Sequence, residues 1–282
     1  MSAPLETLVR GRRRLPLFAE IEAPLLLDLP TGVPAPKGVH MPDGDDLSPR
    51  AFAVLSAVRD SLLAPSSNAG AVFPLDELDA QDRTHLWETL GEGEVSIVVQ
   101  GGARYEIQET VLPGVFRVRT CRESGDALHL EVGAVPAVVA AAAEHGTSKE
   151  FPLEDPPPPG LMNAQPLLAE LRHRMLSHAP GRENHVVSLT LLPLNDADGA
   201  YLARTLGAGP IVAESRGYGT CRVAATARRG IWSVQYFNAM DALILDTLEI
   251  GAVPAALIAA PEDLEDSGAR LSELLDHARS SP

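Results

Sequence analysis

Cys221 lies between Thr220 and Arg222, and a neighbouring cation favours the thiolate, the form of cysteine that attacks electrophiles and binds metals. No histidine stands close to it in sequence to act as a base. Within a strand, its side chain points either into a core or out to solvent. Two readings stay open: a buried structural thiol, or a sulfur that handles a metal or transfers sulfur. The second cysteine, Cys121, is far away in sequence, and two cysteines make neither a disulfide framework nor a zinc site. His173 and His178 are five apart on a predicted helix and do not share a face. The chain has no Cys-x-x-Cys, no His-Glu-x-x-His and no acidic calcium loop, so no metal or cofactor is expected. Gly-x-Gly at 91–93 and 217–219 lacks the third glycine and the following helix of a nucleotide fingerprint.

Recognition chemistry is better represented. Ser215-Arg216-Gly217-Tyr218-Gly219-Thr220-Cys221-Arg222-Val223 reads as a hairpin tip, where Gly217 and Gly219 permit a tight turn and leave Tyr218 at the surface as an amphipathic anchor. Arg216 and Arg222 bracket the turn and are suited to bidentate bonds with carboxylates. Trp232, Tyr236, Asn238 and Asp241 follow as supporting members of the same partner surface. Trp232 and Tyr236 point the same way along a strand, which equally suits the core, and Asn238 and Asp241 equally suit a turn closed by side-chain-to-backbone bonds.

The elements that position these residues are written twice. Thr89-Leu90-Gly91-Glu92-Gly93-Glu94-Val95 recurs 116 residues later as Thr205-Leu206-Gly207-Ala208-Gly209-Pro210-Ile211. At the same offset Gly114-Val115-Phe116-Arg117-Val118 meets Gly230-Ile231-Trp232-Ser233-Val234, and at offset 118 Glu131-Val132-Gly133-Ala134-Val135-Pro136 meets Glu249-Ile250-Gly251-Ala252-Val253-Pro254. The expected fold is α+β: a tandem repeat of a mainly antiparallel sheet covered by helices, behind an N-terminal segment. The copies diverge at the tip, where Gly101-Gly102-Ala103 in the first stands against Gly217-Tyr218-Gly219 in the second.

Residues 1–46 read as a flexible N-terminal segment, rich in Pro and Gly over 29–38. Residues 47–146 hold the first repeat with its preceding helix, residues 147–162 a Pro-rich linker, and residues 163–282 the second repeat. Ser48-Pro49 opens a helix over about 48–63 through an N-cap and a proline at its first position. The first unit follows as a strand at 71–73, a helix capped by Asp79, strands near 94–100, 104–110, 115–121 and 127–132, and a helix from Pro136. Asn163 is expected to cap the next helix. The second unit then runs as a strand over 185–192, a helix capped by Asn195 with Asp198 at its third position, strands near 210–216, 220–226, 231–237 and 242–250, and a helix starting near Pro254. A final helix covers about 261–279.

A chain of 282 residues with 45% apolar content can furnish more than one core. The net charge of −15 argues against a nucleic-acid partner, because phosphate binding needs a concentrated basic surface. No apolar run approaches the roughly 20 residues of a membrane helix. Arg12-Arg13-Arg14 superficially suggests a twin-arginine export signal, but Glu20, Glu22 and Asp28 interrupt the apolar stretch such a signal needs, so the expected location is the cytoplasm.

The run Ser-Arg-Gly-Tyr-Gly-x-Cys-Arg-Val over 215–223, then Trp-x-Val-x-Tyr-x-Asn-x-x-Asp over 232–241, then Ile244-Leu245 and Glu249-Ile250, resembles the HupH/HyaF/HoxQ hydrogenase expression proteins. The resemblance covers nearly the whole chain after about residue 38 and is most specific over 185–267. It implies a domain present in tandem and a role as an accessory scaffold or chaperone for an uptake nickel–iron hydrogenase. The implied partners are the iron–sulfur small-subunit precursor before its export and a thioredoxin-like accessory protein. It attaches no catalytic chemistry to the family, which implies a non-enzyme. Two other readings are kept: a metal- or sulfur-handling maturation factor that uses Cys221, and a generic peptide-binding module whose two sites are spaced by the prolines at 156–159.

Overall fold

The computed structural model describes residues 48–64, 70–217 and 219–280. Their elements run, in order, α1 (Pro49–Leu62), β1 (Ala71–Pro74), α2 (Ala80–Leu90), β2 (Val95–Gln100), β3 (Arg104–Glu109), β4 (Val115–Cys121), β5 (Ala127–Val132), α3 (Ala137–His145), α4 (Ala164–Ser177), β6 (His185–Ser188), α5 (Asp196–Leu206), β7 (Ala208–Arg216), β8 (Thr220–Thr226), β9 (Ile231–Phe237), β10 (Leu243–Ile250) and α6 (Pro261–Ser280). The expectations for residues 1–46, the triple arginine included, lie outside the described residues.

All ten strands form one sheet in the order β1-β5-β4-β3-β2-β7-β8-β9-β10-β6, and every neighbouring pair is antiparallel. The order reads the same from either end, and the halves meet where β2 pairs β7, with Ile97 opposite Ala213. The α+β class is as expected.

Alternation along the strands separates two faces. On one, which we call the α3 face, Ile97, Ile107, Phe116, Val118, Ile211, Val223, Trp232 and Val234 form a central core under α3 and the 3-10 turn at Ala255–Leu257. The other face carries five helices in two groups. Helices α1, α2 and α6 bury Leu55, Leu62, Leu86, Leu90, Leu271 and Leu275 against Val115, Leu130 and Val132. Helices α4 and α5 bury Leu167, Leu168, Leu171, Tyr201, Leu202 and Leu206 against Ile231, Leu248 and Ile250. Each fully buried leucine contributes about 1.5–3 kcal/mol. The last helix, α6, thus packs against elements from the start of the chain, and Gly268 permits its approach: a Cβ there would meet Leu63 Cδ2 at 2.8 Å.

Three local expectations are corrected. Asn163 occupies the N-cap position of α4 without capping it through its side chain. Its amide donates to Pro193 O at 2.7 Å, and Asp198 from α5 takes over the cap, its Oδ1 accepting from the N–H groups of Met162, Asn163 and Ala164 at 2.9, 3.0 and 2.9 Å. The strand expected over 185–192 stops at Ser188, because Thr190 turns its hydroxyl to accept from Asp246 N at 2.8 Å and the chain enters a 3-10 turn at Leu189–Leu191. The helix expected near Pro254 is only the turn Ala255–Leu257: Ile258 returns to an extended conformation, and Ala259 N then donates to Ala134 O at 2.8 Å.

Candidate interaction surface

Two turns at one end of the sheet's second half hold most of the candidate residues. At the first, Gly217 N donates to Gly219 O at 3.1 Å. A Cβ on Gly219 would lie 2.6 Å from the backbone oxygen of Phe237, so only glycine lets β8 begin against the end of β9. A Cβ on Gly217 would meet the flexible Glu94 carboxylate at 2.8 Å, a softer constraint. Tyr218 lies outside the described residues. At the second turn, Asn238 Oδ1 accepts from Met240 N and Ala242 N at 2.9 and 3.0 Å, and Asp241 adopts φ 54°, a left-handed conformation that Asp tolerates better than most residues.

Arg216 and Arg222 lie on the five-helix face and are engaged within the chain. Arg216 Nε donates to Glu214 Oε1, and Arg222 Nε donates to Glu214 Oε2 at 3.2 Å. The Arg222 guanidinium stands over the Phe237 ring, 4.7 Å from its centroid, with Nη2 3.8 Å from Asp241 Oδ1. Only 6% of Glu214 is exposed, so a fixed buried carboxylate holds two half-buried guanidinium groups beside the turn. In a partly buried setting such pairs are stronger than exposed ones, and they set direction as well as charge.

Trp232 and Tyr236 are not part of this group. Alternation turns them to the α3 face, where Trp232 is buried in the central core. Cys221 is on that face too, directly opposite Tyr236 in the β8–β9 register. Burial pushes the Cys221 thiol up to about 11; the Tyr236 hydroxyl, hydrogen-bonded to the sulfur, opposes the rise, and the Glu249 charge adds to it. Burial, with the Cys221 and Glu249 charges, pushes Tyr236 to about 12. Of the two readings of Cys221, the buried thiol is the one its burial supports, and Arg222 does not reach the sulfur because successive residues of a strand point to opposite faces. About one Cys221 in a thousand is then ionised at pH 8. Iodoacetamide at that pH should modify half-exposed Cys121 well before Cys221, by about a hundredfold in rate, with the gap closing in denaturant. Peptide mapping of the time course checks this; equal native rates would contradict the burial of Cys221.

Sequence reasoning missed a row of polar side chains across the five-helix face. In register, Arg117, Gln108, Ser96, Glu214, Arg222, Gln235 and Asp246 stand side by side over seven strands. At one end Arg117 stacks 5.1 Å from the Trp87 ring centroid. At the other, burial raises the Asp246 carboxyl to about 6, partly offset by the facing Gln235 amide. Each member looks like an ordinary polar strand residue, and only the strand order and register line them up. Among the described residues, no group of three or more His, Cys, Asp or Glu converges as metal ligands, and no helix is long and apolar enough to cross a membrane.

The strands thus form a broad antiparallel platform with Arg216 and Arg222 paired to Glu214 along one face. Comparison with known proteins identifies the family: residues 60–149 and again 161–278 match the family described as HupH hydrogenase expression protein, C-terminal conserved region. The chain belongs to this family of hydrogenase expression proteins. It is 39% identical to the hydrogenase expression/formation protein HoxQ of Cupriavidus necator over 91% of this chain and 92% of that one. It is also 39% identical to the hydrogenase expression/formation protein HupH of Rhizobium leguminosarum bv. viciae, over 80% and 81%. The hydrogenase-1 operon protein HyaF of Escherichia coli is 36% identical over 80% and 81%. A solved structure, hydrogenase expression protein HupH from Thiobacillus denitrificans, is 28% identical and covers 39% of this chain and 92% of that one, with a TM-score of 0.35.

Proposed function

We propose that this protein is a non-enzymatic scaffold for maturation of an uptake nickel–iron hydrogenase, built from two copies of one α+β unit joined by a linker over 147–162. It holds the iron–sulfur small-subunit precursor in the cytoplasm before export, alongside a thioredoxin-like accessory protein. The carrying observation is that relatives aligned over 80–91% of this chain are named for hydrogenase expression, formation or operon membership. The surface we assign to the precursor comprises Arg216, Gly217, Tyr218, Gly219, Arg222, Asn238 and Asp241; Trp232, buried in the central core, and Tyr236, on the α3 face, are not counted in it. The reading in which Cys221 handles metal or sulfur is disfavoured by the burial of the sulfur in the central core, on the face away from Arg222, which pushes the thiol up to about 11.

Affinity capture of the tagged protein from hydrogenase-expressing cells, with and without oxygen, followed by mass spectrometry and metal analysis, tests the reading. The expected result is small-subunit precursor with its export signal intact and no metal on the bait alone. Metal on the bait without precursor would end it. Tyr218→Ala should reduce precursor capture about tenfold, the scale of one lost aromatic anchor, while the melting temperature stays within about 2 °C. A collapse in melting temperature would show that Tyr218 is part of the core.

A further inference from the structure

We infer a second interaction site, at the junction of the segment after α3 with the last turns of α4, which takes an apolar peptide segment bearing carboxylates. A cleft of about 330 Å³ opens there between Lys149, Phe151 and Pro152 on one side and Arg172, Met175 and Leu176 on the other, with Glu150 at its rim. The volume is at the lower end of the ~300–1,000 Å³ range of ligand clefts.

Charge decides what such a cleft takes. Nearly every described arginine side chain is spent on a partner within the chain, as Arg216 and Arg222 are on Glu214 and Arg229 is on Glu144. Lys149 and Arg172 have no ion pair or hydrogen bond from their side chains among the described residues, and both line this cleft. In a chain of net charge −15, two unneutralised cations lining one cleft form a local reversal of sign, against the single Glu150. An incoming carboxylate is therefore drawn here rather than to the acidic remainder of the surface.

The walls are built rather than incidental. Ser148 N donates to Ala227 O at 2.9 Å and Arg229 N donates to Ser148 O at 2.8 Å, which staples this segment to the turn between β8 and β9. Arg228 Nη1 donates to Glu150 O at 2.9 Å, and Phe151 is sunk in the core with Leu167 and Leu171. The backbone carrying Lys149 is thus held in place before any ligand arrives, which lowers the ordering cost of binding. Leu176, which lines the cleft, is 66% exposed, so the apolar wall continues out to the solvent-facing surface. That continuation suits a peptide segment rather than a compact small molecule. The site is separate from the β7–β8 turn and does not depend on the identity of the precursor.

Fluorescence anisotropy with a labelled peptide Leu-Phe-Asp-Leu-Glu and its neutral counterpart Leu-Phe-Asn-Leu-Gln, both amidated, tests the site on the full chain. The acidic peptide should bind about tenfold more tightly than the neutral one, and raising salt should shrink the difference. Lys149→Glu and Arg172→Glu should each weaken it at least about fivefold, whereas Arg182→Glu, at an unpaired cation outside the cleft, should not. Melting temperatures of the variants confirm folding, since both side chains are exposed. Equal affinity for the two peptides, no binding at millimolar peptide, or equal loss in Arg182→Glu would overturn the proposal.

Discussion

Asp198→Ala should lower the unfolding free energy by about 3–5 kcal/mol and the melting temperature by about 10 °C. The side chain is fully buried. Its Oδ2 accepts from Asn195 N at 3.0 Å, closing the capping box of its own helix α5, and its Oδ1 accepts from three N–H groups at the start of α4. One carboxylate therefore satisfies the first donors of two helices, which otherwise have no intrahelical acceptor. Loss of one cap costs about 0.5–2 kcal/mol, and here two are lost along with a charged acceptor. Asn is no remedy, since its amide would turn a donor towards donors. Asp82, at the corresponding position in α2, serves as a control: its N–H donates to Asp79 Oδ1 at 2.9 Å, and its carboxylate caps no second helix. Asp82→Ala should cost about 1 kcal/mol or less.

The same contacts set an acid limit. Burial alone would raise the Asp198 pKa, but the four backbone N–H groups outweigh it and hold the carboxyl below its ordinary value. A folded-state pKa below the unfolded one means the stabilisation is complete above about pH 4 and is lost as pH falls through the lower, folded value. Denaturant titrations from pH 5 down to pH 2.5 should show wild type losing stability faster than Asp198→Ala. Parallel curves would show that Asp198 is not the group responsible.

Asp198 also shows what the sequence conceals. The capping box Asn195-x-x-Asp198 was legible because its spacing is local, as were Ser48 at α1 and Asp79 at α2. That the same carboxylate reaches α4, some 35 residues earlier, was not, and the local rule named Asn163 instead. Strands were legible from glycine punctuation and β-branched content, to within two residues for nine of the ten. The exception, β6, ends early because of a side-chain contact with β10 that no local pattern encodes. At the candidate surface the turns were legible from Gly217, Gly219, Asn238 and Asp241. The carboxylate that holds Arg216 and Arg222 was not, because Glu214 meets Arg222 only through the strand register. Trp232 was read with both alternatives open, and counting alternate residues from Arg222 could not settle it, since the turn between β8 and β9 resets the phase.

The doubled Thr-Leu-Gly-x-Gly motif gives the other large effect. Its two glycines do different work. Gly91 and Gly207 end α2 and α5 at φ 57° and 62° with ψ −163° and 169°, a region essentially confined to glycine, where a side chain costs about 1–3 kcal/mol. Gly93 and Gly209 have no such dihedral. A Cβ on Gly93 would sit on the backbone oxygen of Thr110, and one on Gly209 on that of Thr226, both far inside the 3.0 Å that real Cβ atoms respect. These are main-chain atoms, the first at the end of β3 and the second in the last residue of β8, so relief requires the strands to separate rather than a rotamer to change. Gly209→Ala should therefore cost about 3 kcal/mol or more, at the upper end of overpacking, and Gly207→Ala about half that. Urea unfolding of the two variants checks the ranking. If Gly209→Ala were as mild as Gly207→Ala, the start of β7 must be able to lift away from β8. The irregular register between Ala208 and Val212 marks where that would happen, and β7 is the strand through which the second half of the sheet pairs with the first.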